Sequence, residues 1–141
     1  MAESSNRYVF DACALIAFLN DEEGANKVEA LFEQAGIGEV ELYAMSVNLY
    51  EVYYDALRHT SAEKAEELLT DLYALPITVI ENVDRPLIRL AAHFKTTYRM
   101  SVADSFALAL TTQLNASLIS TDHHEFDDVE KSDEVKFFWL R

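Results

Sequence analysis

Short apolar runs rich in β-branched and aromatic residues recur along this chain, and they alternate with longer segments whose apolar residues return at helical spacing. The runs are Arg7–Phe10 (RYVF), Val40–Met45 (VELYAM), Ile77–Ile80 (ITVI), Ser117–Ser120 (SLIS) and Val135–Leu140 (VKFFWL). Between them, Ala12, Leu15, Ile16 and Leu19 follow the first run. Val28, Leu31 and Phe32 mark a helix over Glu23–Ala35, closed by Gly36 and Gly38. Further helices are expected over Val47–His59, Ser61–Ala74, Arg85 to about Tyr98, and Val102–Leu114. Strands alternating with helices through short connections predict an α/β fold, a three-layer α/β/α sandwich with a largely parallel central sheet. At 141 residues the chain fits one domain, 1–141, large enough to bury roughly two-thirds of its unfolded surface.

In such a sheet, ligands bind outside the carboxyl ends of the strands, and acids stand at those positions here. Asp11 follows the first run and Asp122 follows SLIS. Glu51 sits among Leu49, Tyr50, Val52 and Tyr53, while Asp104 opens a helix that is apolar on nearly every side. An uncompensated carboxylate there takes up a proton or finds a partner, and a cation shared with other carboxylates is one such partner. Each acid also has an ordinary explanation. Asp11 can cap a helix, Ser101-Val-Ala-Asp104 has the form of a capping box, and Glu51 with Asp55 can be a solvated edge. Right-handed crossovers bring Asp11 and Asp122 to one edge, with the helix starts near Glu51 and Asp104 beside them. Joint placement is harder to explain by capping than any single position.

Clustered carboxylates repel, so a cation is expected among them. Mg²⁺ or Mn²⁺ suits an all-oxygen site and binds phosphate oxygens, and two such ions about 4 Å apart can activate a water in phosphodiester hydrolysis. Ser46 is expected to cap the helix that starts at Val47, and with Asn48 it can orient a carboxylate or be plain cap chemistry. The adjacent His123 and His124 make a poor transition-metal pair, since neighbours rarely ligate one ion. The chain has no P-loop glycines, no G-x-G-x-x-G and no H-E-x-x-H, so nucleotide-motor, dinucleotide and metalloprotease chemistries lack their usual signals.

The formal net charge of −14 works against nucleic-acid capture by a broad positive field. A local basic stripe, bound divalent metal or a basic partner protein can each offset it. The acid-free stretch Arg85–Ala103 carries Arg85, Arg89, His93, Lys95 and Arg99, either a solvated face or a phosphate-contacting stripe. Cys13 is the only cysteine, which suits a reducing cytoplasm. The opening residues MAESSNR lack a signal-peptide core and no apolar run reaches membrane-spanning length, so a soluble cytoplasmic protein is expected.

The blocks VFDACALIAFL, SVNLYEVYYDAL, FKTTYRMSVADSFALAL and LISTDHHEF resemble, in order and spacing, the successive blocks of PIN-domain ribonucleases, most closely VapC-type toxins of toxin–antitoxin pairs. That resemblance implies Asp11, Glu51, Asp104 and Asp122 as the catalytic, metal-binding acids. It gives Ser46 and Ser120 as supporting residues, Ser120 standing where threonine is common. It further implies Mg²⁺-dependent RNA cleavage, a homodimer, and inhibition by an antitoxin protein whose basic residue enters the acid pocket. Arg85, Arg89 and Arg99 are the candidate RNA-binding residues. A 5′-nuclease-like enzyme acting on DNA, and a non-catalytic acidic protein-binding module of the same fold, are the alternatives.

Overall fold

A computed structural model describes residues 6–141; the first five residues of the stretch read above for a signal peptide lie outside the described residues. Strands β1 (Arg7–Phe10), β2 (Glu41–Met45), β3 (Thr78–Ile80), β4 (Ser117–Ser120) and β5 (Lys136–Trp139) form a five-stranded sheet in the order β3-β2-β1-β4-β5. Every pairing is parallel. The helices are α1 (Ala12–Leu19), α2 (Ala25–Gly36), α3 (Ser46–His59), α4 (Ala62–Ala74), α5 (Arg85–Thr97), α6 (Val102–Gln113) and α7 (His123–Ser132). The expected three-layer architecture is therefore the one observed.

Alternation along the strands divides the core in two. Val9 and Leu118 face a cluster with Leu87, Phe94, Leu108 and Phe126 from α5, α6 and α7. Their neighbours Phe10 and Ile119 face the opposite cluster, with Leu15, Val28, Leu49 and Leu72 from α1 to α4. Because both sheet faces are covered, the central strands read as continuous apolar runs rather than alternating ones.

Sequence order and strand order part company beside β1. From β1 the chain steps outward through β2 and β3, then returns to place β4 on the other flank of β1. This reversal opens a crevice at the carboxyl ends of β1 and β4, the position where ligands bind in open parallel sheets. Phe10 pairs with Ile119 in register, so Asp11 and Ser120 emerge side by side at that crevice.

Two expectations need correction. Helix α3 begins at Ser46 itself with Met45 at its N-cap and no side-chain cap bond, because β2 passes directly into the helix and leaves no connecting residue for a serine cap. The acids and histidines after Asp122, where no helix was expected, form helix α7 with Asp122 as its cap.

Candidate active site

Asp11 is the most buried acid among the described residues, 1% exposed. As N-cap of α1 it accepts a hydrogen bond at Oδ1 from the Ala14 N–H (2.8 Å), and at Oδ2 from the Ser120 hydroxyl (2.5 Å). The same hydroxyl accepts the Asp122 N–H at 3.1 Å. One serine thus ties the ends of β1 and β4 together and orients both aspartates. These bonds favour the charged form of Asp11, but burial outweighs them, and with the charges of Asp122 and Glu51 it pushes the carboxyl up to about 7.

Asp104 serves two roles that looked like alternatives. Its main-chain N–H donates to Ser101 Oγ at 3.1 Å, so the Ser101 cap expected there exists. Its side chain nevertheless lines the cleft with Glu51, Asp122, Glu125, Tyr54, Asp55 and Cys13, a space of about 370 Å³. Burial foremost, then the charge of Asp11 and a hydrogen bond with Glu125, push Asp104 up to about 8. Glu51, half-buried on α3, is raised by burial and lowered in part by a hydrogen bond from Asn48. Asn48 is fully buried, and its Nδ2 also donates to the Ala103 carbonyl at 3.3 Å, joining the first turns of α3 and α6. Its buried Oδ1 has no hydrogen-bond partner among the described residues.

Cys13 registers the arrangement independently. Burial raises its thiol to about 12, and the charges of Asp11, Asp122, Asp104 and Glu51 all push the same way. Glu51, Asp104 and Asp122 therefore line one cleft, and the buried Asp11 is near enough for its charge to act on Asp104 and Cys13. Glu125 joins them unanticipated. It lies one turn after Asp122, whose Oδ1 caps the Glu125 N–H at 3.0 Å. The spacing Asp122-x-x-Glu125 is a capping-box form, and that signal was present in the sequence.

The other candidates lie elsewhere. Arg85, Arg89 and Arg99 are exposed, and none lines the cleft. His93 is engaged by Glu134 on the α7–β5 connection (2.7 Å), and Tyr98 donates to the same carboxylate. Ser46 heads α3 half-buried and caps nothing. Tyr50 and Tyr54 are exposed, 63% and 48%, and so are not core. Glu81, which follows β3, accepts from the Tyr73 hydroxyl.

Among the described residues no three His, Cys, Asp or Glu side chains stand close enough to form a ready-made ligand cage. The donor chemistry still fits a divalent cation: carboxyls dominate the wall, the one thiol there, Cys13, is held protonated, no basic side chain lines the cleft, and two carboxyls are forced far above their ordinary range. Mg²⁺ retains several waters and needs only one or two direct carboxylates, so an open set of acids suits it better than a closed cage. Carboxyls raised near neutrality are also placed to exchange protons at working pH.

A family model described as the PIN domain matches residues 8–132. No curated protein sequence matches the chain. Among solved structures, DNA-bound VapBC from Salmonella typhimurium superposes with a TM-score of 0.72 at 11% identity, covering 96% of this chain and 98% of that one. VapBC-1 from nontypeable Haemophilus influenzae gives 0.70 at 14% identity, over 95% and 98%. Mycobacterium tuberculosis VapC20, described as a Sarcin-Ricin loop cleaving toxin, gives 0.64 at 12% identity, over 86% and 94%. At such identities the likeness is one of fold. Among the described residues no helix is long and apolar enough to cross a membrane.

Proposed function

The chain belongs to the PIN domain family, and from that premise we propose that it is a metal-dependent endoribonuclease, the toxin of a toxin–antitoxin pair acting in the cytoplasm as a single-domain protein. The observation that carries this reading is that Glu51, Asp104 and Asp122 line a cleft with no basic side chain, with the buried Asp11 close enough for its charge to act on Asp104 and Cys13. The solved relative described as a Sarcin-Ricin loop cleaving toxin favours RNA over DNA as substrate.

Asp11, Glu51, Asp104 and Asp122 would hold Mg²⁺ or Mn²⁺, with Glu125 a further carboxyl on the cleft wall. When bound, the metal supplies Lewis-acid stabilisation of charge on the phosphate oxygens. Ser120 fixes the carboxylate of Asp11 and the backbone of Asp122 at once. Asn48 steadies Glu51 through a hydrogen bond, and Asp104 and Glu125 hold each other in place through a hydrogen bond between their side chains. Such outer partners set the orientation of metal-binding groups. Arg85, Arg89 and Arg99 contact RNA phosphates beyond the cleft.

The charge of −14 makes a basic antitoxin the complementary partner, and solved relatives are toxin–antitoxin complexes. The exposed Tyr50, Tyr54 and Leu57 of α3 supply the face of a homodimer. The same charge favours one rival, a non-catalytic module that acts only through its acidic surface. Cleavage of a pool of structured RNAs, beside single-stranded and duplex DNA, separates the readings. The expected result is Mg²⁺- or Mn²⁺-dependent cutting of RNA, abolished by EDTA and by Asp104→Asn with the fold intact. Cutting of DNA alone would replace the substrate, and full activity of Asp104→Asn would overturn the site.

A further inference from the structure

The body of α7 is held in the core by Phe126 and Val129, both fully buried. Its entry turn is not: His123 and His124 are exposed, and Asp122 and Glu125 face the cleft. Beyond the Ser120 bond to the Asp122 N–H, the turn is secured through His123. The imidazole stacks on Trp139 of β5, centroids 3.7 Å apart and planes 21° apart. Its Nε2 lies 2.7 Å from the main-chain oxygen of Arg141. An oxygen there can only accept, so Nε2 carries the proton and donates.

The partner surface is itself braced. Phe137 stacks on Trp139 with centroids 4.9 Å apart, and the indole N–H donates to Glu130 of α7 at 2.8 Å. On the other flank Arg141 pairs with Glu22 (3.1 Å) and donates to the Glu23 carbonyl. Gly24, at φ +100°, lies so close that a Cβ would stand 2.6 Å from the Leu140 oxygen. Residues 139–141 are therefore wedged between the α1–α2 turn and the start of α7.

We propose that His123 is a positioning residue: clasped on Trp139 and Arg141, it holds the entry turn of α7 so that Asp122 and Glu125 face the cation site, coupling metal occupancy to the packing of residues 139–141 against Gly24. This rests on the metal-site reading given above. Without the clasp the turn spends part of its time displaced, and apparent metal affinity falls by the fraction of molecules left competent. Coupling is reciprocal, so metal at the cleft must tighten the stack by the same factor.

Trp139 is the only tryptophan, which makes its emission a direct readout of the clasp. Mg²⁺ has no optical transition of its own, so a saturable change in Trp139 emission on titration with Mg²⁺ reports the stack. That change is expected in the wild type and absent from His123→Ala. Calorimetric titration with Mn²⁺ should show His123→Ala binding about 10-fold more weakly. Val28→Ala, a core truncation on α2, is the stability control and should stay within about 2-fold of wild type. Equal Mn²⁺ affinity in His123→Ala and wild type would overturn the clasp and leave the metal site standing. Equal weakening in Val28→Ala would reduce the effect to general stability and also overturn it. No Mn²⁺ uptake by the wild type would remove the site reading and this inference together.

Discussion

Asp11 and Asp84 are the same local device placed in two different regions. Each is the N-cap of a helix, at φ −89°, ψ 176° and φ −88°, ψ 175° respectively. Each accepts from the N–H three residues on, at 2.8 and 3.0 Å. Asp84 is exposed at the start of α5, whereas Asp11 is buried where the strand order reverses, among Ser120, Asp122 and Glu51. Cap chemistry makes both residues explicable, and topology alone makes one of them part of a site. Burial beside other acids pushes this cap up to about 7, and on the proposed reading a cation would compensate it.

The sharpest way to break this contrast is to neutralise each acid without removing its cap. Asparagine caps about as well as aspartate, so Asp11→Asn should leave the melting temperature unchanged or raise it. RNA cleavage should fall at least about 100-fold, because the metal set loses a charge. Asp84→Asn should cleave within about 2-fold of wild type. Equal activity in the two variants would erase the distinction between them.

Removing the bridge at the crevice comes next. Ser120→Ala deletes the donor to Asp11 Oδ2 and the acceptor of the Asp122 N–H. Mn²⁺ affinity, followed calorimetrically, should weaken about 10-fold. Deleting the cap at Asp84 has no such consequence. Asp84→Ala should cost about 1 kcal/mol in denaturant unfolding and leave cleavage unchanged.

Protons sharpen the same comparison. Asp11 and Asp104 retain protons in the fold above their ordinary value of 3.8, up to about 7 and 8. Between those limits the folded state binds more protons than the unfolded one. The contribution is therefore fully favourable below the unfolded pKa and is lost as pH rises through the folded values. In EDTA, the melting temperature should decline from pH 5 to pH 8. Asp11→Asn should flatten part of that decline, and Asp84→Asn should not. Added Mg²⁺ should stabilise more at pH 8 than at pH 6, since its uptake displaces those protons. A decline of the same slope in Asp11→Asn would contradict the assignment.

Much of the fold was legible because every strand is a compact apolar run and every crossover in a parallel sheet has one hand. The positions of Asp11 and Asp122 followed from that. Helix α7 was not legible: HHEFDDVEKS carries only Phe126 and Val129 as apolar residues, too few to show a period beneath the charges. Glu125 was lost with it. On α3, Tyr50, Tyr54 and Leu57 repeat at helical spacing yet are exposed, and the helix buries Asn48, Leu49, Val52 and Ala56 instead. Two stripes satisfy the same spacing, and only the neighbouring layers decide between them. That His93 is taken up by Glu134, 41 residues away in sequence, depends on tertiary packing that no local pattern carries.

The most direct test is calorimetric titration of Mn²⁺ into wild type, Asp11→Asn and Asp84→Asn under identical buffer. Wild type and Asp84→Asn should bind with the same affinity, and Asp11→Asn should bind far more weakly or not at all. Binding by Asp11→Asn as tight as wild type, or no binding by wild type, would contradict a cation site at the junction of β1 and β4.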